Sequence, residues 1–454
     1  MKVKILLITL LLNLQNISSQ CLFKEVTTLN ATSLAIGVNN KLYGWGATFD
    51  FNLNTSSSMQ TNVTQIGIDE NWAKIDGGNR HVLLIKSNGT LWAMGWNGEG
   101  QLGDNSLINR NTPIQVGLDN NWVAISAGQN FSLAIKNDGT LWAWGNNQNG
   151  QLGIGTTVNQ IVPVQVGNDT NWSKINASKN NFALAIKNDG TLWAWGRNDY
   201  GYLGLGNYST PNIPTQVGTN NNWLAVSSGL NHTLALKSDN TLWAWGRNAY
   251  GELGNNTTIT SITPSQIGSE NDWQYIDASY LSSKAIKFNG TLWCWGENSQ
   301  GNLGDGTSTN KLIPTQIGID SNWSGIFSGH AHTLALKTNS EIYCWGTNNF
   351  GQLANGNTIN LSSPYQITCS NLGVRNFDVH NNSVKILPNP TTDAFEIAME
   401  NDYSKVELYD LTGRLIKFWY DKGYQYSLND INNGVYTLLI YSNKSIIIKK
   451  VIKK

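Results

Sequence analysis

The 454-residue sequence is poor in charge: Asp, Glu, Lys and Arg together make up 13% of it, about half the roughly 25% usual in globular domains. Thirty basic residues balance thirty acidic ones, so the basic footprint that nucleic-acid binding requires is missing. Nucleic acid is thereby excluded as an expected partner. No transmembrane segment is expected either. The apolar run from Ile5 to Leu14 is too short to span a bilayer; behind Lys2 and Lys4 it has the layout of a secretory signal peptide over residues 1–19. Catalytic signatures are missing too. There is no Gly-x-Ser-x-Gly elbow, and Gly-rich loops such as Gly201-Tyr-Leu-Gly-Leu-Gly206 precede no Lys-Ser or Lys-Thr of a phosphate cradle. Nothing singles out a catalytic residue, a metal site or a cofactor.

What is abundant is Trp and Gly, 19 and 45 residues, a composition suited to stacked, turn-rich β structure. The phrase Lys136-Asn-Asp-Gly-Thr-Leu-Trp-Ala-Trp-Gly145 reads as a strand end, a tight turn and a short aromatic strand. It returns at Lys187–Gly196, Lys237–Gly246 and Lys287–Gly296, with weaker copies ending at Gly46, Gly95 and Gly346. A period of about fifty residues marks a repeat architecture. The repeats open at Phe23, Trp72, Trp122, Trp172, Trp223, Trp273 and Trp323, and each carries four short apolar segments. Four strands per unit, seven times over, predict an all-β, seven-bladed β-propeller over residues 20–369. Leu141 and Ala143 should face one neighbouring blade, Trp142 and Trp144 the other.

Cys21 precedes the first repeat and Cys369 follows the seventh, at nearly the same place in the repeat frame. Closing the ring brings them together, and a Cys21–Cys369 disulfide is expected in an exported protein. Cys294 and Cys344 take the place of Ala143 in their repeats and read as small buried thiols. A polar linker, residues 370–383, separates the repeats from residues 384–454. There, short alternating segments such as Phe395–Met399, Lys405–Tyr409, Arg414–Lys417, Gly434–Ile440 and Ser445–Lys449 predict a small β-sandwich.

The segments Gly229-Leu-Asn-His-Thr-Leu-Ala-Leu236, Thr241-Leu-Trp-Ala-Trp-Gly246 and Gly251-Glu-Leu-Gly254 resemble the regulator of chromosome condensation repeat, whose family folds as seven-bladed propellers. The nucleotide-exchange and ultraviolet-sensing activities of eukaryotic members do not carry over. The sensor's Gly-Trp-Arg-His-Thr is here Gly78-Asn-Arg-His-Val82, Gly229-Leu-Asn-His-Thr233 and Gly329-His-Ala-His-Thr333, and an exported protein meets no cytosolic GTPase. Pro388-Asn-Pro390, Val406-Glu-Leu-Tyr-Asp-Leu-Thr-Gly-Arg-Leu-Ile416, Gly434-Val-Tyr436 and the terminal Lys449-Lys-Val-Ile-Lys-Lys454 resemble the type A sorting domain of type IX secretion. That resemblance implies the secretion machinery as a partner and a secreted or outer-membrane-surface location in a bacterium.

His81, His232 and His332 share one repeat position with Phe131 and Phe182, so they read as packing residues. Where the repeats disagree is the loop after each Trp-Gly. There Tyr200, Tyr202, Tyr250 and Phe350, with Arg197 and Arg247 nearby, are the candidate binding residues. The expected function is non-catalytic binding of an extracellular protein or glycan. The alternatives are a carbohydrate-active enzyme using acidic residues at the ring centre, and a structural surface protein.

Overall fold

In the computed structural model the described residues are 22–48, 59–368, 384–398, 403–410, 415–420, 425–442 and 446–454. The expected signal peptide, the linker, Cys21 and Cys369 lie outside them. The chain forms two compact units, divided near residue 372.

The first unit is seven antiparallel four-stranded sheets, each built from consecutive strands. The innermost strands begin at the seven aromatics named above: Phe23–Thr28, Trp72–Gly77, Trp122–Ala127, Trp172–Ala177, Trp223–Ser228, Trp273–Ala278 and Trp323–Ser328. In the third blade, Phe131–Lys136 and Leu141–Gly145 follow, paired Leu133↔Ala143 and Ala134↔Trp142, and Gln160–Gln165 is outermost. The outer strand of the fourth blade is reduced to Thr215–Gln216. The first blade's innermost strand packs against those of the second and seventh, so the ring closes.

The decapeptide builds this ring. Asp138 Oδ1 accepts bonds from the Thr140 amide (3.0 Å) and hydroxyl (2.6 Å), and Trp142 Nε1 donates to Thr140 Oγ1 (2.9 Å). Gly139 has φ +79, and a Cβ there would lie 2.0 Å from Thr170 O, so glycine is required. Trp144 sits with Leu83, Ala93 and Leu102 of the preceding blade, while Leu141 and Ala143 lie with Trp172 and Trp195 of the next. The facing expected from strand alternation is therefore the one found. Lys136 has a role beyond the turn: its ammonium lies 3.9 Å from the Trp142 ring centroid and 4.8 Å from that of Trp122, and pairs with Asp119 (2.8 Å). Lys86, Lys187, Lys237, Lys287 and Lys337 repeat the aromatic cage.

The histidines pack. His81, His232 and His332 are buried, and desolvation pulls each pKa down to about 3, so they are neutral at physiological pH. Each ring Nε2 meets a serine of the next blade: Ser132 (2.9 Å), Ser283 (2.8 Å) and Ser33 (3.0 Å). Those serines in turn donate to the carbonyls of Gln101, Glu252 and Gln352. Cys294 and Cys344 are free, buried thiols, as their alanine position implies.

The second unit has a three-stranded sheet (Lys385–Leu387, Ala394–Ala398, Tyr426–Ser427) and a four-stranded one. The latter comprises Tyr403–Tyr409, Leu415–Tyr420, Gly434–Ser442 and Ile446–Lys453. Between them Phe395, Val406, Leu408, Tyr426, Leu438 and Ile440 form one core. Glu407, nearly buried, is held ionised by Lys405 and by the hydroxyls of Tyr409 and Tyr441.

Candidate ligand-binding face

Antiparallel pairing puts the turn between the first and second strands at the same end of each blade as the loop between the third and fourth. One face of the propeller therefore carries all the sequence-predicted loop residues and the mouth of the central channel. Arg197 joins the two zones: its Nη1 donates to Asn180 Oδ1 (2.9 Å) at the channel end, and its Nε to Asp199 (2.6 Å).

The loops are rigid. In the third blade the buried Asn147 accepts from the Leu152 amide (2.9 Å) and donates to the carbonyls of Thr156 (2.9 Å) and Val158 (3.1 Å). Asn97, Asn198, Asn248, Asn298 and Asn348 brace the other loops in the same way. On this constant frame the tip residue changes from Glu99 to Asn149, Tyr200, Tyr250, Gln300 and Phe350. The guanidinium of Arg247 lies 5.9 Å from the Tyr200 ring centroid and 5.2 Å from that of Tyr250, so a half-buried arginine and two exposed tyrosines form one cluster across the fourth and fifth blades. Phe350 is exposed as well, on the seventh blade. Tyr202 is not a surface residue: it is 0% exposed and stacks on Phe182 with centroids 4.5 Å apart. It occupies the position of Gln101 and Gln151, which points under the loop.

The channel holds what the sequence did not advertise. At the ends of five of the seven innermost strands a side chain bonds the next blade. Thr27 Oγ1 accepts from the Gly77 amide (2.8 Å), Asp76 Oδ2 from Ala127 (2.7 Å), Ser126 Oγ from Ala177 (2.9 Å) and Ser227 Oγ from Ala278 (2.9 Å). Asn176 accepts from the Ser228 hydroxyl, and Asp277 faces Ser328 of the next blade. Phe327 stands at the seventh position. Thr, Ser and Asn do the same work at the equivalent positions, which makes the Asp76 carboxylate one clasp among several. Burial raises the pKa values of Asp76 and Asp277, that of Asp76 to about 6; the Lys284 ammonium opposes the shift at Asp277, and Lys179 opposes it at both. Lys179 Nζ donates to Thr28 O (3.1 Å), and its own pKa is lowered by burial.

Asp76 makes the ring's stability depend on pH in a definite direction. The unfolded carboxyl loses its proton near pH 4, the folded one near pH 6, so over that interval the folded state binds more protons and rising pH destabilises it. Asp76→Asn keeps the acceptor, as Asn176 illustrates. The variant should exceed the parent by ~3 kcal/mol at pH 8 and come close to it near pH 4, checked by thermal melts at the two pH values. Equal melting at pH 8 would refute the desolvation argument. Asp277, Glu25 and Lys179 remain in place in both proteins.

Three residues further on, each turn points one side chain at the channel mouth: Asn30, Asn79, Gln129, Lys179, Leu230, Tyr280 and His330. They surround a cavity of about 210 Å³. Tyr280 and His330 lie ring over ring, centroids 3.8 Å apart and planes inclined by 36°. A signal for this ring was present in the sequence: one position after an almost constant small residue (Gly78, Gly128, Ser178, Gly229, Ser279, Gly329), the copies vary among carboxamide, cationic, aliphatic and aromatic side chains.

The comparisons with known proteins agree with this architecture. Residues 11–280 match the RCC1-like domain, residues 289–336 and 339–378 match the regulator of chromosome condensation (RCC1) repeat, and residues 385–454 match the secretion system C-terminal sorting domain. No curated protein matches. Among solved structures, human WBSCR16 is 20% identical, with a TM-score of 0.64, covering 72% of this chain and 94% of its own. Yeast RCC1 (Prp20), solved bound to Kap60, is 18% identical with a TM-score of 0.64, covering 79% and 87%. At such identity the likeness concerns the fold alone. The sorting domain marks the protein for type IX secretion, to the bacterial cell surface or beyond it, and no helix among the described residues is long and apolar enough to cross a membrane. Seven blades with this repeat, matched over more than half the sequence, mean that the chain belongs to the RCC1-like family of propellers.

Proposed function

We propose that the propeller is a non-catalytic binding module, exported to meet an extracellular protein or glycan on the face described above. One observation carries the reading. Six loops are braced by the same buried asparagine, while their tips differ, and two exposed tips, Tyr200 and Tyr250, flank the half-buried Arg247. Rigid loops lose little entropy on binding, and Tyr and Arg concentrate binding energy. Of the two aspartates at the ring centre, Asp76 is bonded to the neighbouring blade through the Ala127 amide, which favours a structural role over a hydrolase's.

Replacing Tyr200 and Tyr250 together by alanine should weaken capture of the partner by about 10- to 30-fold with no change in melting temperature. The measurement is a glycan array and a pull-down from the native surroundings, followed by titration of whatever is retained. Affinity unchanged in the double variant would reject the cluster as the binding site.

A further inference from the structure

The channel mouth is a second concave feature on the same face, and its chemistry is more specific than that of the loop tips. The side chains of Asn30, Asn79, Gln129 and Tyr280 face the cavity without an intramolecular hydrogen bond among the described residues. Polar groups held together at a concave surface and left unused by the fold are what a polar ligand requires. Their backbones, by contrast, are fixed from blade to blade. The Asn79 amide donates to Gly128 O (3.1 Å), Gln129 to Ser178 O (3.0 Å) and Leu230 to Tyr280 O (3.1 Å). The side chains are thus offered from a preorganised ring.

The groups select among ligand classes. A carboxamide presents a donor and an acceptor in one plane, matching the paired donor-acceptor character of neighbouring hydroxyls. The Tyr280–His330 aromatic pair and Leu230 supply an apolar wall. Formal charge is scarce: Lys179 lines the cavity, Asp76 and Asp277 balance it from below, and the buried Lys284 ammonium lies behind Ser279 (3.2 Å). An anion would have to compete with both aspartates. The volume, about 210 Å³, lies below the roughly 300–1,000 Å³ of pockets for drug-sized ligands, which suits a single ring-sized group. An enclosed bowl of this kind also differs from the open groove that an extended peptide would need.

We propose that the channel mouth is a saccharide subsite that takes one neutral sugar unit at the end of a glycan. This rests on the reading of the propeller as an extracellular binding module and narrows its ligand to carbohydrate. Asn79 and Gln129 hydrogen-bond the hydroxyls, and Tyr280 covers the apolar face of the ring.

The test titrates the purified protein with methyl glycosides of glucose, galactose, mannose and N-acetylglucosamine, and with the corresponding tetrasaccharides, by saturation-transfer NMR and calorimetry. At least one glycoside should bind. Asn79→Ala and Gln129→Ala should each weaken it about 5- to 10-fold at unchanged melting temperature, because these side chains bond no other described residue, and Tyr280→Ala, which also removes the ring contact with His330, should weaken it more. The Tyr200→Ala/Tyr250→Ala double variant should bind the monosaccharide as the parent does. No binding of any glycoside, or binding indifferent to the three mouth variants, overturns the proposal. Binding of methyl glucuronoside but of no neutral glycoside overturns it in favour of an anion site on Lys179. A protein partner captured through Tyr200 and Tyr250, with no glycoside bound, leaves the wider reading standing and removes this one.

Discussion

Replacing Trp245 by alanine should lower the unfolding free energy of the propeller by about 3–5 kcal/mol, the usual cost of emptying a large aromatic site in a core. The indole is 0% exposed and fills the gap between the fourth and fifth blades. It lies 6.0 Å from the Trp223 ring, and its Nε1 donates to Tyr202 O (2.9 Å). Its fit is tight on the far side as well: a Cβ at Gly204 would come within 2.7 Å of Nε1. No neighbour is positioned to refill the space, since Gly204 carries no side chain and Ala235 is small. Trp245→Phe separates the two contributions. It keeps most of the apolar volume and removes one of the two donors on the Tyr202 carbonyl, which retains the Thr233 hydroxyl (2.8 Å), so the loss should cost only about 0.5–1.5 kcal/mol. Urea titration of the three proteins reads both. Trp243→Ala is the control, because that indole is half-buried and stands at the edge of the Lys237 cage. If Trp245→Ala and Trp243→Ala destabilise equally, the blade-to-blade wedge is not what holds the ring.

Trp245 also illustrates why the fold was legible in the sequence. A seven-fold phrase with alternating large and small residues leaves one way of burying both faces, and all seven innermost strands begin at the aromatics that the spacing selects. The site was legible only in part. Tyr200, Arg247 and Tyr250 come together because adjacent blades place equivalent loops side by side. Tyr202 was misjudged because neighbours in sequence, two residues apart on a tight loop, point to opposite sides of it. The histidines carried a pairing that could have been read: each stands where the next repeat offers a serine at the following position, as His81 does with Ser132 and His232 with Ser283. Lys179 and the two aspartates were invisible for a different reason. Each is a single departure from the consensus of its own repeat, and only ring closure turns residues about a hundred apart into neighbours.

Ring closure is where the second large effect is expected. Every blade here is made of consecutive strands, so no strand is shared between the first and the seventh. Six of the seven blade boundaries are crossed by the chain itself. The seventh has packing and polar contacts such as the Ser33–His332 bond (3.0 Å) and the Trp45–Gln352 bond (2.9 Å), together with a bridge between Leu22 and Glu341. Leu22 follows Cys21. On the other side Ile367, two residues before Cys369, donates its amide to Ile342 O (3.0 Å). The described neighbours of the two cysteines therefore attach to consecutive residues, Glu341 and Ile342. A Cys21–Cys369 disulfide would supply the missing covalent link, and for a loop of this length the chain-entropy treatment assigns it about 5 kcal/mol. Cys21→Ser/Cys369→Ser should then melt well below the parent, and reducing agent should lower the parent to the same point without affecting the variant. Cys294 and Cys344 serve as internal controls, since burial pushes the pKa of the first up to about 12 and that of the second higher still, keeping both thiols unreactive. A peptide map of the non-reduced protein with Cys21 and Cys369 both alkylated would end the argument. The ring would then be closed by its non-covalent contacts alone.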